Sequence, residues 1–596
     1  MSSFFYGYVG MNEAIFGLFT TDERRVSYLQ RRHNGVRHLN RMAPAAPRTG
    51  ESPRLTVTLE TGQRIARVDC VLREPTTAAR SAGETAVFPF TSSAINWDIL
   101  TWSYCETWQC TLPPQPDGTL VRYQILAYPA DGGAPILADD GAVFSYLVDA
   151  RPLPDWAREA RIYQIFPDRF SPGNGRFDPA QCRRPWNNVS GLNDSYGGTL
   201  RGIIDNLDYI ADMGFNCLWL NPFFPDETHH GYHATDHFSI NPRLGTLADM
   251  RELVAKAHAK GFRLLFDFVA NHIGSGHPHF QHALAHEDSP YHDWFRWRSW
   301  PDEYVAYFNV PDLPEVDTNH PAVRQYLFES VRYWLDDIGF DGLRIDYVLG
   351  PSHDFWTALR QVVRQTKPDA WMFGEATQTP DYLLTYNGRF DACLDFLLTQ
   401  QLRDTFAFNT LDVAAFDNFL HLHTQFFGAD AALPSFLDNH DMDRFLLIAD
   451  NDKRKLKLAA LCQFTLPEPP IVYNGTEVGV GQEQLIHAPD SQGMAECRQP
   501  MLWGDEQDAD LRDYFRSLLH LRRDHPVIWQ GKRETVHVDA KAGTYAYTVS
   551  DEAESILVVF NLSDQKRTFA IRFPDKTMIN PVKLAPWSGD FQVMAL

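Results

Sequence analysis

Charged and polar side chains recur at the carboxyl ends of four apolar runs, LLFDFVANH, GLRIDYV, AWMFGEA and FLDNHD. They are Asp267, Asn271, His272, Arg344, Asp346, Glu375, Asp438, His440 and Asp441. A charge buried on a strand costs several kcal/mol unless it is paired or used, on the order of 3–5 kcal/mol when it is left alone. Packing does not require such charges at the same end of four strands. The pattern therefore predicts a reactive site.

Two of these carboxylates suit the cleavage of a glycosidic bond, which needs one ionised and one protonated carboxyl group. Arg344 and Asp346 are two residues apart on one strand, so their side chains share a face and the guanidinium favours an ionised nucleophile. Glu375, on another strand in a drier setting, suits the acid. The alternatives are a structural Arg344–Asp346 ion pair and a histidine at 440 that belongs to the core.

The elements that carry these residues alternate between compact apolar runs and helical patterns. The predicted strands are 161–166, 215–220, 262–269, 342–348, 370–376, 391–398, 433–441 and 469–477. Between them, 246–261 and 321–339 carry apolar residues with helical spacing, and Thr246 with Asp249 suits a helix start. Eight strands alternating with helices favour a (β/α)8 TIM barrel over an open sheet.

The flanks of this region have a different pattern. Short β-rich runs before about 150 and after about 530 predict an N-terminal and a C-terminal β-sandwich. We therefore expect an α/β protein with three domains: 1–150, a barrel over 151–530 and 531–596. A long segment at about 273–320 interrupts the barrel after its third strand and is rich in His and Trp. Loops of that length are usually functional, so we expect a short domain B insertion there.

The composition narrows the classes of function. The 596 residues are 44% hydrophobic and carry a formal charge of −22. An acidic chain repels phosphate backbones and anionic lipid, so we expect no nucleic-acid or membrane partner. The opening MSSFFYGYVGMNEAIFGLF lacks the basic start of a signal peptide, and the eight cysteines include no CxxC pair. Both observations favour buried thiols in the cytoplasm.

The motifs taken together resemble the α-amylase superfamily, glycoside hydrolase family 13. The matching segments, in the family order, are GFNCLWLNP (214–222), DFVANH (267–272), GFDGLRIDYV (339–348), FGEA (373–376) and FLDNHD (436–441). The N-terminal β-rich region and the junction AREARIYQIFPDRF are similar to the neopullulanase/cyclomaltodextrinase/maltogenic amylase group. The resemblance implies hydrolysis of α-glucosidic bonds with retention of configuration.

The resemblance also implies roles for individual residues. Asp346 corresponds to the catalytic nucleophile, Glu375 to the general acid/base and Asp441 to the carboxylate that stabilises the transition state. The residues expected to bind the sugar are Tyr232, Asp236, His272, Arg344 and His440. A catalytically inactive sugar-binding protein on the same fold is the rival from another class, and the retention of all three carboxylates argues against it.

Two segments depart from the pattern of the nearest group. Leu349 and Gly350 occupy the places of its Asn-Glu pair, and its MPKLN-type segment reads VPDLPEVD (310–317). We expect action on α-1,4 bonds of maltooligosaccharides, cyclodextrins or pullulan, with transglycosylation and α-1,6 cleavage left open. The alternative is an exo-acting α-glucosidase, or a glucosyl-transferring or isomerising member of the superfamily. A homodimer through the N-terminal domain is a further expectation from the resemblance.

We expect no cofactor and no metal, with calcium as the alternative left open. The family's calcium loop corresponds to FPDRFSPGNGRFDP (166–179), which offers Asn174 and Asp178, but Thr199 stands where the family often has Asp. The histidines at 229, 230, 233 and 237 lack the spacing of a zinc motif, so we interpret them as solvent-facing cleft residues. Trp294, Trp297 and Trp300 suit either stacking on sugars or packing of the long loop.

Overall fold

The computed structural model describes residues 35–73, 86–98, 103–149, 153–173, 195–428, 431–571 and 581–595. Contacts divide the chain into two compact units. The first contains the described residues of Met1–Leu153 together with Asp317–Arg332 and Tyr347–Cys393, and the second contains Pro154–Val316, Tyr333–Asp346 and Leu394–Leu596. In the described residues, the structure has no helix that is both long and apolar enough to cross a membrane.

The N-terminal part of the first unit is a β-sandwich. One antiparallel sheet contains Val36–Arg37, Met42–Ala43, Arg54–Leu59, Thr91–Asp98 and Ser103–Thr111. The other contains Ile65–Leu72, Val87–Pro89, Leu120–Pro129, Ile136–Leu137 and Phe144–Leu147. Alternate residues of both sheets, such as Val57 and Ile125, share one buried core, as the period of two requires. The hairpin formed by Thr91–Asp98 and Ser103–Thr111 was not predicted from the sequence.

Parallel strands form the barrel region. In the second unit they lie in the order Gly342–Ile345, Arg263–Phe268, Cys217–Leu220, Ile162–Ile165 and Ile471–Tyr473. In the first unit Trp371–Gly374 pairs in parallel with Ala392–Cys393. The seventh predicted strand is reduced to a parallel bridge between Ser435 and Pro470.

Helices follow these strands along the chain. They are Leu200–Asp205, Leu207–Met213, Leu247–Ala259, Pro321–Arg332, His353–Thr366, Phe396–Leu402, Val413–Phe427, Lys453–Thr465 and Ala509–Asp524. Shorter α-helices are Asp155–Glu159, Pro167–Phe170, Pro278–Ala285, Pro380–Leu383, Phe445–Ile448 and Val527–Gln530. Two π-helical segments, Tyr333–Ile338 and Arg403–Ala407, continue helices that precede them. This succession confirms the predicted (β/α)8 fold class.

The local predictions hold in detail at one helix, and the sixth predicted strand, like the seventh, is largely absent. Thr246 and Asp249 form a reciprocal capping box at the start of Leu247–Ala259, as the sequence predicts. The predicted strand 391–398 is wrong beyond Cys393, because Asp395 caps a helix that begins at Phe396. A short apolar run fits a buried strand and a buried helix equally well, so periodicity did not separate them.

The insertion after the third barrel strand is compact. It contains the helix Pro278–Ala285 and a hairpin formed by Trp297–Ser299 and Glu303–Tyr304. Trp294 is buried, and the indole nitrogens of Trp297 and Trp300 donate to backbone carbonyls of the insertion at 3.0 Å. These contacts favour the packing interpretation of the three tryptophans.

The C-terminal region is a second β structure, within the second unit. An antiparallel sheet has the order Lys532–Asp539, Thr544–Ser550, Glu554–Asn561 and Ser588–Ala595, and Arg567–Phe569 pairs with Val582–Leu584. Both sheets contribute to one small buried cluster that contains Ala546, Leu557 and Leu584. The structure therefore has antiparallel sheets in both the N-terminal and the C-terminal regions of the chain, as predicted.

Candidate active site

Asp346 lies immediately after the strand Gly342–Ile345, where Arg344 holds it. Arg344 is fully buried, and its Nη1 lies 3.0 Å from Oδ1 of Asp346 and 2.6 Å from Oδ1 of Asp267. The guanidinium also lies 5.2 Å from the ring centroid of Trp219. The predicted ion pair between Arg344 and Asp346 is therefore present. This ion pair fixes the Asp346 carboxylate at the strand end. A nucleophile needs the same fixed position, so the structural and the catalytic interpretation are compatible.

Tyr232 is held against the same group of residues by its hydroxyl. That oxygen donates to Asp267 Oδ2 at 3.0 Å and accepts from the Asn221 amide at 3.1 Å. Its ring is stacked on the imidazole of His440, with centroids 5.5 Å apart and an interplanar angle of 7°. Burial, with Asp267 nearby, raises the pKa of Tyr232 well above its ordinary value, so the phenol stays neutral.

Asp441 lies between a histidine and an arginine. His440 Nε2 lies 2.8 Å from Asp441 Oδ2, and Arg498 Nη2 lies 2.6 Å from Asp441 Oδ1. Burial by itself would raise the pKa of Asp441, but His440 and Arg498 outweigh it and hold the pKa below the ordinary value. The side-chain amide of Gln164 lies 2.8 Å from His440 Nδ1 and orients the ring.

Arg498 was missed by the sequence analysis. It is 5% exposed, and its Nε donates to the carbonyl of His440 at 2.8 Å, so it holds both the backbone of His440 and the carboxylate of Asp441. The thiol of the neighbouring Cys497 contacts the same carbonyl at 3.2 Å. Arg498 lies in a long segment without regular structure, 57 residues from Asp441, so no spacing in the sequence indicated it.

His272 follows the third barrel strand, where a backbone bridge to Glu315 holds it. Its ring is stacked on Tyr307, with centroids 4.6 Å apart. Burial, and to a lesser extent the charge of the nearby His233, lowers the pKa of His272 to about 3. A neutral imidazole can donate or accept a hydrogen bond, which suits contact with a sugar hydroxyl.

Glu375 belongs to the first unit, one residue after the strand Trp371–Gly374. Its Oε2 accepts a hydrogen bond from the backbone N–H of Tyr347 at 3.3 Å, and its carbonyl accepts from the N–H of Val348 at 3.2 Å. Tyr347 is the residue after Asp346 in the chain. The general acid predicted from the sequence is thus bonded to the backbone next to the predicted nucleophile.

The predicted site residue Asp236 forms hydrogen bonds to residues two and three positions later in the chain. Its carboxylate accepts from the N–H of Phe238 at 2.8 Å and from the hydroxyl of Ser239 at 2.5 Å. These bonds order the turn that follows Tyr232. Direct contact between Asp236 and a sugar stays a prediction.

Three of the four histidines near Tyr232 are not solvent-facing, so that interpretation is wrong for His229, His230 and His237, whereas His233 is half-buried. His229 and His230 are each 6% exposed and His237 is fully buried. Burial lowers the pKa of all three, which keeps them neutral and lets their rings pack against one another and against aromatic neighbours. Histidine is intermediate in its tendency to be buried, so residue type alone did not decide the outcome.

Of the residues considered for calcium, Asn174 and Asp178 lie outside the described residues and Thr199 lies within them. Thr199 acts as a helix cap, because its hydroxyl accepts from the N–H of Gly202 and donates to the carbonyl of Pro172. The Asp168 carboxylate is surrounded by donors, including Arg169 and the N–H of Tyr196. Across the described ranges, no group of three or more His, Cys, Asp or Glu side chains could hold a metal ion.

Comparison with known proteins identifies the family that the chain resembles. Residues 164–524 match the family model of the alpha-amylase catalytic domain. The chain is 31% identical to Alpha-amylase 2 of Dictyoglomus thermophilum over 85% of its length and 87% of the relative's. It is 35% identical to a cyclomaltodextrinase of a Bacillus species over 70% of its length and 74% of the relative's. A solved cyclomaltodextrinase is similar with a TM-score of 0.67, at 28% identity over 90% of this chain and 93% of that one.

Proposed function

The chain belongs to the alpha-amylase family of glycoside hydrolases, and from this premise we propose that it hydrolyses α-glucosidic bonds of short glucans with retention of configuration. Its substrates are maltooligosaccharides, cyclodextrins or pullulan, cut chiefly at α-1,4 bonds. The similarity to a cyclomaltodextrinase in both sequence and structure supports this range.

The observation that carries the proposal is the arrangement of Asp346 and Asp441. Arg344 contacts the first carboxylate at 3.0 Å, and Arg498 contacts the second at 2.6 Å. Charge-assisted hydrogen bonds of this kind are strong and fix the direction of each carboxylate, and at Asp441 they hold the pKa below its ordinary value. Two oriented anions suit a sugar that becomes positively charged in the transition state.

In the first step Asp346 attacks the anomeric carbon. The bond to the leaving oxygen breaks as Glu375 transfers its proton to that oxygen, and an ester between Asp346 and the sugar forms. Arg344 and Tyr232 hold the sugar ring and the carboxylate in place. Asp441 stabilises the positive charge that develops on the ring.

In the second step the ester is opened. Glu375, now ionised, accepts a proton from water, and the water oxygen attacks the anomeric carbon and displaces Asp346. A sugar hydroxyl that takes the place of water gives transglycosylation. Two inversions at the same carbon give net retention.

A product profile on maltotriose, β-cyclodextrin, pullulan, panose and soluble starch tests this function. Glu375→Gln, which keeps the shape of the side chain and removes the proton donor, is the matched blank. We expect the unmodified protein to cleave cyclodextrin and pullulan fast and starch slowly. Glu375→Gln should cleave none of these substrates at a comparable rate. Glucose released singly from chain ends, with cyclodextrin untouched, would contradict this range and make the protein an exo-acting α-glucosidase.

The protein needs no metal or other cofactor in this proposal, because every step uses side chains of the chain itself. We also place it in the cytoplasm. All seven cysteines among the described residues are buried free thiols, which is typical of a reducing compartment.

We further propose that two copies of the chain associate through the N-terminal β-sandwich. Ile95, Trp97 and Tyr104 lie on its edge hairpin and are 69%, 48% and 73% exposed. Exposed apolar groups in such density suit an interface with a second copy. Sedimentation of the full chain and of Tyr104→Asp tests this: a dimer that becomes a monomer supports it, and a monomer in both cases contradicts it.

A further inference from the structure

The backbone directly after Asp346 takes an unusual conformation. Tyr347 has a φ of +38°, in the left-handed region that side chains other than glycine rarely adopt. Residues held in this region persist only where the surrounding structure over-determines them, and they cluster at active sites. The contacts that hold Tyr347 therefore bear on the site.

The backbone of the next residue, Val348, is held by hydrogen bonds from Trp356 and Tyr386 and to Glu375, a set of contacts called here the Val348 clamp. Its carbonyl accepts from the indole N–H of Trp356 at 2.8 Å and from the hydroxyl of Tyr386 at 3.1 Å, and its N–H donates to the carbonyl of Glu375 at 3.2 Å. Its side chain is fully buried against Gly374, where an added Cβ would lie 2.7 Å from Val348 Cγ1. This residue cannot shift without losing several bonds together.

The Val348 clamp determines the direction of the hydrogen bond from the Tyr347 N–H to Glu375. With Val348 held, the left-handed turn at Tyr347 directs its N–H to Oε2 of Glu375 at 3.3 Å. We propose that Trp356 and Tyr386 are positioning residues for Glu375, acting through the backbone of Val348 and Tyr347. This inference rests on the proposed function, in which Glu375 is the general acid/base.

A positioning role has a specific kinetic signature. Protonation by Glu375 matters most when the leaving group is a sugar hydroxyl, which departs poorly as an anion. A nitrophenolate departs without a proton. A misdirected Glu375 therefore slows glycosylation from a maltooligosaccharide and leaves glycosylation from an aryl maltoside nearly unchanged.

Tyr386→Phe is the first test, because it removes one hydroxyl and keeps the ring. Tyr386 is 2% exposed and is stacked on His353 with centroids 4.7 Å apart, a contact that phenylalanine retains. We expect kcat/KM for maltotriose to fall about fivefold to tenfold, the effect of one lost hydrogen bond. For 2-chloro-4-nitrophenyl α-maltoside the fall should stay below about twofold. Tyr382→Phe, on the ring that packs beside Tyr386, is the matched control.

A second pair of variants, at Tyr347, tests the role of the left-handed backbone conformation and leaves Trp356 and Tyr386 unchanged. Glycine adopts a positive φ freely, whereas a β-branched residue does so at a high cost. Tyr347→Val should therefore lose more kcat/KM on maltotriose than Tyr347→Gly, with both retaining most of kcat/KM on the aryl maltoside. The reverse order would show that the tyrosine side chain, and not the turn, matters.

The comparison with Glu375→Gln separates this inference from the proposed function. If that variant loses kcat/KM, which reports the glycosylation step, equally on both substrates, Glu375 is not the general acid and both proposals fall. If it shows the selective loss while Tyr386→Phe and Tyr347→Val match Tyr382→Phe, the positioning role alone is refuted. Equal losses on both substrates in Tyr386→Phe also refute it, since a general structural defect acts in that way.

Discussion

Replacement of Arg498 by methionine should reduce catalysis strongly without removing any group assigned to bond cleavage. Arg498 is 5% exposed and contacts Asp441 at 2.6 Å and the carbonyl of His440 at 2.8 Å. Methionine keeps much of the length of the arginine side chain but cannot form the hydrogen bonds to Asp441 and to the His440 carbonyl. A hydrogen bond to a charged group contributes about 1.5–3 kcal/mol, so kcat/KM for maltotriose should fall roughly 10- to 150-fold.

The same replacement should change the pH dependence. Arg498 is one of the charges that hold the pKa of Asp441 below its ordinary value against the effect of burial. Without it the pKa of Asp441 rises, and a protonated Asp441 cannot stabilise a positive transition state. The acid limb of kcat/KM therefore moves to higher pH in Arg498→Met, and less so in Arg498→Lys, which keeps the charge.

A double-mutant cycle with Asp441→Asn shows whether Arg498 acts through Asp441. If it does, Arg498→Met costs much less activity in the Asp441→Asn background than in the unmodified protein. Circular dichroism and thermal midpoints control for misfolding. Activity within about threefold of the unmodified protein, or an equal loss in both backgrounds, would refute the reasoning.

Three further outcomes are expected. Thr246→Ala removes the capping box with Asp249 and should lower the free energy of unfolding by about 1 kcal/mol, measured by urea titration. Burial raises the pKa of Glu477 from 4.5 to about 7 in the folded protein, so the contribution of this group to stability is full below the lower value and is lost as the pH rises between the two. That loss amounts to roughly 3 kcal/mol, and calorimetry of Glu477→Gln should find it absent. Dialysis against a calcium chelator should leave maltotriose hydrolysis unchanged, and a loss restored by added calcium would contradict the cofactor prediction.

Periodicity and strand ends made much of this molecule predictable. Parallel strands buried on both faces are near-continuous apolar runs, so their positions and the carboxylates that follow them are visible in the sequence. The ion pair between Arg344 and Asp346 was predictable for the same reason, because a spacing of two puts both side chains on one face. The capping box at Thr246 is a local pattern of four residues, and local patterns need no tertiary contact.

Other features depended on residues that are distant in the chain. Arg498 reaches Asp441 from an irregular segment, and Tyr386 reaches Val348 across 38 residues, so neither contact leaves a periodic signal. The burial of His229, His230 and His237 was missed because histidine is common both inside and at the surface.

The sequence by itself determined which residue types stand at each strand end, and through them the family and the chemistry. The tertiary structure alone decided how those groups are held: which charge keeps Asp441 ionised, and which backbone turn directs an N–H to Glu375. The physical reason is that residue type and spacing act locally. Burial and the orientation of a hydrogen bond arise only when distant segments pack together.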